Sequence, residues 1–256
     1  MDVNLNLELT DHCNIKCKMC SQSMRDEAHG VPMRFMTWET WRDSLRGLAD
    51  MPDEIHLCPH WLGEPTLHPR FDRFVEYAFR ANRRNRLFRS FKLHTNGVLF
   101  DEERARLLLR LAHLPDQKLD TFNFIHFSID AHTRPVYLEV KGADRQPQVY
   151  RNIERFLALR AEYGFERPYV TLAFVVQPDN ADEAMAFRDH WAGILAQLGR
   201  PVAQTWDWPD QAKDTLYFRP LNCADQAASD ALHADVCRAL GLTESTESRL
   251  RSAESF

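Results

Sequence analysis

Short apolar segments alternate with amphipathic ones along most of this chain, and that alternation restricts the fold more than any other feature of the sequence. Strand patterning predicts strands at 3–9, 54–58, 91–94, 122–128, 169–176 and 215–218. Helical periodicity predicts helices at 37–49, 70–81, 101–113, 148–163, 181–198 and 225–240. Three of these open on a capping residue followed by acids or a further cap former: Thr37 before Glu39 and Thr40, Asp101 before Glu102 and Glu103, and Asn180 before Asp182 and Glu183. Acidic groups there complement the partial positive charge of a helix N-terminus. Strands joined through helices pair in parallel, because a parallel neighbour needs a long crossover. The predicted architecture is therefore α/β, with six βα units making a parallel sheet curled into a partial (β/α)6 barrel. In such architectures function gathers in the loops at the carboxyl ends of the strands.

The first of those loops is chemically distinctive. In Leu9-Thr10-Asp11-His12-Cys13-Asn14-Ile15-Lys16-Cys17-Lys18-Met19-Cys20, three of the chain's 6 cysteines fall within eight residues. Thiolates packed this closely repel one another, and a metal centre is the usual remedy. A structural zinc takes four ligands, commonly as two separated pairs. No second pair stands at a regular offset, Cys58, Cys223 and Cys237 lie far apart, and the side chain of His12 diverges from that of Cys13. A four-iron cluster normally takes four thiolates, so three would leave one iron open to a further ligand. Cluster, zinc and unrelated thiols stay open on the cysteines alone.

Further motifs follow the next strands in order. Gly63-Glu64-Pro65 places a carboxylate beyond the second strand, where it can accept hydrogen bonds from an ammonium group, and Gly63 permits close backbone approach. Taken alone, Gly-Glu-Pro is an ordinary turn. Thr95-Asn96-Gly97 follows the third strand; Asn96 can hydrogen-bond a ligand, although Asn-Gly is foremost a turn signal. Ser128-Ile129-Asp130-Ala131 closes the fourth, and strand alternation puts Ser128 and Asp130 on one face, as ligand-binding or capping groups.

The C-x3-C-x2-C loop after an apolar strand, with Gly63-Glu64-Pro65, Thr95-Asn96-Gly97 and Ser128-Ile129-Asp130-Ala131 in that order, resembles the radical S-adenosylmethionine (SAM) superfamily over roughly residues 3 to 220. The resemblance leans toward the core domain of the SPASM/twitch-type branch. It implies that Cys13, Cys17 and Cys20 ligate a [4Fe-4S] cluster whose open iron binds SAM. It further implies reductive cleavage of SAM to a 5′-deoxyadenosyl radical, which abstracts hydrogen from a peptide or small-metabolite substrate. An electron donor such as flavodoxin or ferredoxin is implied with it. Gly63, Glu64, Asn96, Ser128 and Asp130 are the implied SAM contacts. Met19 stands where an aromatic residue often lies against the adenine, and Lys141, before Gly142, stands where related enzymes place a cation for the SAM carboxylate, an ordinary surface lysine being the alternative. Many relatives in that branch carry a cysteine-rich C-terminal extension for auxiliary clusters. Here only Cys223 and Cys237 follow the last strand, too few thiols for another cluster. Cys223 is a candidate hydrogen-atom donor, weighed against a buried inert thiol, and Cys58 carries the same two readings.

Composition sets the remaining bounds. A chain of 256 residues can bury a sizeable core in one domain, expected over 1–242, with a polar and disordered tail over 243–256. The net charge of -5 supplies no field that recruits nucleic acid or anionic membrane. No apolar run reaches the roughly 20 residues of a membrane span. The N-terminal residues lack the basic and apolar regions of a signal peptide, and the cysteine usage suits a reducing cytoplasm. The basic run Arg80, Arg83, Arg84, Arg86, Arg89 and Lys92 reads as a solvated helix end, with RNA binding the alternative. His60 and His68 read as packing or surface residues, and 206–210 as an irregular loop whose tryptophans read as ordinary packing, with covering a substrate the alternative.

Overall fold

The computed structural model describes residues 2–21, 23, 34–51, 54–118, 121–209 and 212–242. The tail expected at 243–256 lies outside the described residues. Seven strands form one parallel sheet: β1 (Asp2–Asn6), β2 (Glu54–Cys58), β3 (Ser90–Thr95), β4 (Phe122–Ser128), β5 (Tyr169–Val176), β6 (Val202–Thr205) and β7 (Asp214–Pro220). Their order is β1-β2-β3-β4-β5-β7-β6, so among the described residues the sheet stays open between β1 and β6. It is a partial barrel with one strand more than the sequence predicts.

Helices α1 (Trp38–Gly47), α2 (Phe71–Asn85), α3 (Glu102–Ala112), α4 (Arg134–Lys141), α5 (Gln146–Glu162), α6 (Ala184–Gln197) and α7 (Gln226–Ala239) connect the strands and cover one face of the sheet. In α2 the buried residues Phe71, Phe74, Val75, Ala78, Phe79 and Asn82 recur at three- and four-residue steps, one apolar stripe of a helix. Phe79 sets its ring 5.0 Å from Phe91 and 5.5 Å from Phe122, joining α2 to β3 and β4. Ile55, Leu57, Leu93, Ile125, Phe127, Val170, Leu172, Phe174, Leu216 and Phe218 complete this face of the core. Alternation along the strands sends His56, Lys92, His94, His126, Ser128 and Tyr217 to the concave face. That face is polar, where a parallel sheet is ordinarily apolar on both sides.

Three of the predicted strands match the structure residue for residue. Helix α4 and strand β6 are absent from the predicted set, since eight residues with Pro135 in second place and four residues after Pro201 are too short to show a period. Of the predicted caps, Thr37 accepts from the amide of Thr40 and Asp101 from that of Arg104. Asn180 does not cap a helix. Its amide group donates to the carbonyls of Asp130 and Val175, at 2.7 and 2.9 Å, tying the end of β5 to the β4 loop. At the opposite end of the sheet Arg160 forks onto buried Asp214, with N···O distances of 2.8 and 2.7 Å. Among the described residues no helix is long and apolar enough to cross a membrane.

Candidate functional site

The three-cysteine loop leaves β1 and lies across the carboxyl ends of the strands, clamped by contacts that leave little slack. Gly63 after β2 comes so close that a Cβ on it would sit 2.0 Å from the carbonyl oxygen of Thr10. That approach lets the Glu64 amide donate to the His12 carbonyl at 2.8 Å, and lets Glu8 accept from the amides of Leu62 and Gly63 at 2.6 and 2.7 Å. From the other side comes α4. Its C-terminus accepts from the Lys18 amide through the Val140 carbonyl at 2.9 Å. Gly142, at φ +63, caps it so tightly that a Cβ would meet the Lys16 carbonyl at 2.3 Å. Asp11 accepts from the amide and guanidinium of Arg34 at 3.0 and 2.7 Å. Burial opposes its charge, but hydrogen bonds from His12 and Arg34 prevail and hold its carboxyl at about 2.

Glu64 is a buried strut. Its Oε1 accepts from the Thr66 amide and from the hydroxyls of Thr66 and Thr95 at 3.0, 2.6 and 2.8 Å, and its Oε2 from the Asn96 amide at 2.7 Å. Burial raises its pKa, and these four donors pull it back. Asn96 then points its amide at the loop, 2.7 Å from Asn14 Oδ1 and 3.5 Å from the Cys13 sulfur.

Lys141 is fully buried, not a surface lysine. Its ammonium lies 2.6 Å from Asp130 Oδ2 and 2.9 Å from the Ser128 carbonyl, and it hydrogen-bonds the Cys17 thiol. Burial works against its charge, yet Asp130 and Cys17 raise its pKa overall. The expectation that Ser128 and Asp130 share a strand face fails here. Asp130 takes φ +63, which breaks the alternation and turns its carboxylate to Lys141 and to the Val175 amide at 2.8 Å. Ser128 stays half-buried, as does Met19 on the loop.

The three sulfurs are half-buried. Burial pushes the Cys13 thiol up to about 12, and burial likewise raises that of Cys17. Among the described residues no His, Cys, Asp or Glu set converges closely enough to hold a single metal ion. A tetrahedral zinc with bonds of about 2.3 Å needs such convergence, whereas cluster thiolates each take a different iron. A donor set of three cysteines, with an amide and a buried ammonium beside two of them, fits a cluster.

Other sequence candidates fall differently. Cys58 is buried and its thiol is pushed up to about 12 by burial. Cys223 is exposed just beyond β7, with its sulfur 3.4 Å from the Asp225 carbonyl, which corrects the reading of a buried thiol. His68 is a packing residue, 3.0 Å from the Met36 carbonyl and 4.4 Å between ring centroids from Phe74. Lys92 does not belong to the helix-end basic run, because it reaches across the concave face to Asn4 Oδ1 at 2.9 Å. Trp208 is exposed, not packed. Sequence reasoning missed Tyr137, which shares a face of α4 with Lys141. Its buried hydroxyl has no hydrogen-bond partner among the described residues, and Lys141, Cys17, Asp130 and Cys13 lie within electrostatic reach. A four-residue spacing before Lys141 was the available signal.

A sequence profile of the radical SAM superfamily matches residues 7–190, well over half of the chain. The chain belongs to the radical SAM superfamily. The cofactors of that family are a [4Fe-4S] cluster and SAM. The radical SAM chain is 24% identical over 176 residues to the cofactor-modifying protein of tungsten-containing aldehyde ferredoxin oxidoreductase from Pyrococcus furiosus, a match covering 69% of this chain and 44% of that one. In fold it is similar to anSMEcpe with bound AdoMet (TM-score 0.56, 18% identity, 86% of this chain and 52% of that one). It is similar also to the FeFe-hydrogenase maturase HydG from Carboxydothermus hydrogenoformans (TM-score 0.52, 12% identity, 95% and 52%). The radical SAM chain thus spans about half the length of these relatives, and at such identities the structural likeness shows the fold alone.

Proposed function

We propose that Cys13, Cys17 and Cys20 hold a [4Fe-4S] cluster with one open iron, and that the chain is a radical SAM enzyme acting on a C–H bond of a peptide or small metabolite. The observation that carries this reading is the double glycine clamp, Gly63 on one side and Gly142 on the other, which fixes a three-thiol loop at the carboxyl edge of a parallel sheet. When bound, the reduced cluster supplies the electron that cleaves SAM and so generates the hydrogen-abstracting radical. The protein's own groups bind, orient and shield.

In this reading Asn96 donates toward Cys13, and Lys141 places a buried positive charge against Cys17; both offset the negative charge that three thiolates bring to the loop. Glu64 and Asp130 are positioning residues: their hydrogen bonds hold Asn96 and Lys141 in place. One lone pair of Glu64 Oε2 remains for the SAM ammonium. The Ser128 hydroxyl and the Met19 side chain, both half-buried at the rim, are available to the nucleoside. An external donor such as flavodoxin or ferredoxin supplies the electron. Cys223 sits at the rim as a hydrogen-atom donor candidate. A substrate that is itself a cofactor or a peptide finds support in the two kinds of relative: one modifies a cofactor, and anSMEcpe has been solved with a peptide. An RNA substrate is disfavoured, because Arg80 pairs with Glu76, Arg83 with Asp116 and Arg89 with Glu54, while Lys92 turns inward.

Anaerobic reconstitution with iron and sulfide, reduction with dithionite and assay of 5′-deoxyadenosine after adding SAM tests the reading. Wild type is expected to form the nucleoside and Cys17→Ala to form none. A cluster-loaded wild type that leaves SAM intact under every reductant makes the chain a non-catalytic iron–sulfur module instead.

A further inference from the structure

The concave face carries an arrangement that the cofactor site does not use. His60 follows β2, His94 lies on β3 and His126 on β4, and their rings stack nearly parallel. Centroids of His60 and His94 are 5.4 Å apart at 12°, and those of His94 and His126 are 4.6 Å apart at 11°. Tyr217 of β7 meets His126 edge-on at 6.3 Å. All three imidazoles keep solvent-accessible surface. Burial nevertheless pushes His60 down to about 4, His126 to about 3, and His94 well below the usual range. They are neutral rings on the concave face of the sheet. Among the described residues none of them makes a hydrogen bond to the protein. Their N–H groups are therefore not spent on the protein.

The cations near the stack are Lys92 and Arg219. His94 feels His126, His60, Lys92 and Arg219, all of which lower its pKa. The carboxylate within reach of His126 is Asp130, already paired with Lys141 at 2.6 Å. Lys92 bonds a neutral amide, that of Asn4. Arg219 is exposed and makes no ion pair among the described residues. Parallel rings set their nitrogens side by side, not toward one point, and no metal-holding group of residues occurs among those described.

We infer that this concave face binds an oxyanion of the substrate, a carboxylate or a phosphate, bridging the imidazole N–H groups of the adjacent rings His94 and His126, with the charges of Arg219 and Lys92 nearby and His60 flanking the pair. Neutral donors beside a cation are what a partly desolvated anion requires. The placement fits a substrate anchor. His94 and His126 lie two residues before Asn96 and Ser128, about 7 Å deeper at some 3.3 Å per residue. A substrate held there by its anionic end presents its other end to the rim. Anion capture stands on this geometry alone; only its role as a substrate anchor rests on the radical SAM reading.

Equilibrium dialysis of the reconstituted protein against radiolabelled inorganic phosphate, and separately against radiolabelled succinate, tests the inference. One saturable equivalent per chain is expected, weakened at least tenfold by His126→Phe and by Arg219→Met and largely kept by Arg219→Lys. Iron content and urea unfolding identify any variant that has simply failed to fold. Saturable phosphate binding points to a phosphorylated substrate, and saturable succinate binding to a carboxylate. Saturable binding of neither anion, or binding that His126→Phe and Arg219→Met leave unchanged, overturns the inference. 5′-Deoxyadenosine formed by the same wild-type preparation separates the two readings. Anion binding without SAM cleavage sinks the enzyme and keeps the anion site, and cleavage without anion binding does the reverse.

Discussion

Replacing Gly63 by alanine attacks the cysteine loop without touching a sulfur. The new Cβ would stand 2.0 Å from the Thr10 carbonyl oxygen and 2.9 Å from that of His12, both backbone atoms. One chain must retreat by about 1 Å to reach the 3.0 Å floor that real Cβ contacts respect. Overpacking of this kind costs roughly 1–3 kcal/mol when a neighbour can yield. Here yielding also pulls the Leu62 and Gly63 amides off Glu8, and hydrogen bonds to a charged group contribute about 1.5–3 kcal/mol each. A loss of at least about 3 kcal/mol follows from the two contributions together. Gly193, inside α6, is the control: its Cβ would meet nothing within 4 Å, so Gly193→Ala gains roughly 0.5–1 kcal/mol of helix stability. Anaerobic urea unfolding and iron per chain after reconstitution are the readouts. Gly63→Ala is expected to unfold at clearly lower urea and to load iron poorly, while Gly193→Ala does neither. Wild-type stability and iron content in Gly63→Ala would refute the argument that this backbone contact sets the loop.

Three further outcomes are expected. Lys141→Met leaves Asp130 charged in the core and lowers unfolding stability by about 3–5 kcal/mol; adding Asp130→Asn, a residue that tolerates the left-handed backbone, recovers part of that loss in the same urea assay. Arg160→Met removes the forked partner of Asp214 at the far end of the sheet but leaves it Arg200 at 3.2 Å and the Val170 amide at 2.9 Å, so it costs less, about 1.5–3 kcal/mol, and iron content stays at the wild-type level because the cysteine loop is untouched. His60, His94 and His126 hold protons less readily in the folded chain than at their usual pKa of about 6.5. The unfolded chain therefore binds more protons below that pH, so stability is unaffected above about 6.5 and falls progressively as the pH drops toward 4. Urea midpoints from pH ~7 to ~5 should show the fall, less steep in a His60→Asn/His126→Asn double variant; equal slopes would mean that the histidines are not its source.

Much of the fold is legible in the sequence because β2 and β4 alternate apolar and polar residues, because β5 is an apolar run, and because α2 repeats its apolar stripe over four turns. What escapes the sequence is set by tertiary contact. Helix α4 is short, and its docking on the cysteine loop depends on Gly142 meeting a carbonyl in a segment more than a hundred residues away. Lys141 reads as a surface residue until that docking buries it. Asp130 defeats the alternation rule through a single left-handed backbone angle. The cysteines, by contrast, are readable at once, because their spacing is local. The histidine stack lies at the other extreme. His60, His94 and His126 are scattered through the sequence, and only the parallel register that pairs His94 with His126 brings two of the rings side by side.

The most direct test of the central claim is the electron paramagnetic resonance spectrum of the dithionite-reduced, reconstituted protein with and without SAM. A cluster with three thiolate ligands and one open iron gives a reduced [4Fe-4S] signal that changes shape when SAM binds, and the signal is lost in Cys13→Ala, Cys17→Ala and Cys20→Ala alike. A cluster signal that SAM leaves unaltered, or a chain that takes up zinc and no iron, would contradict the account.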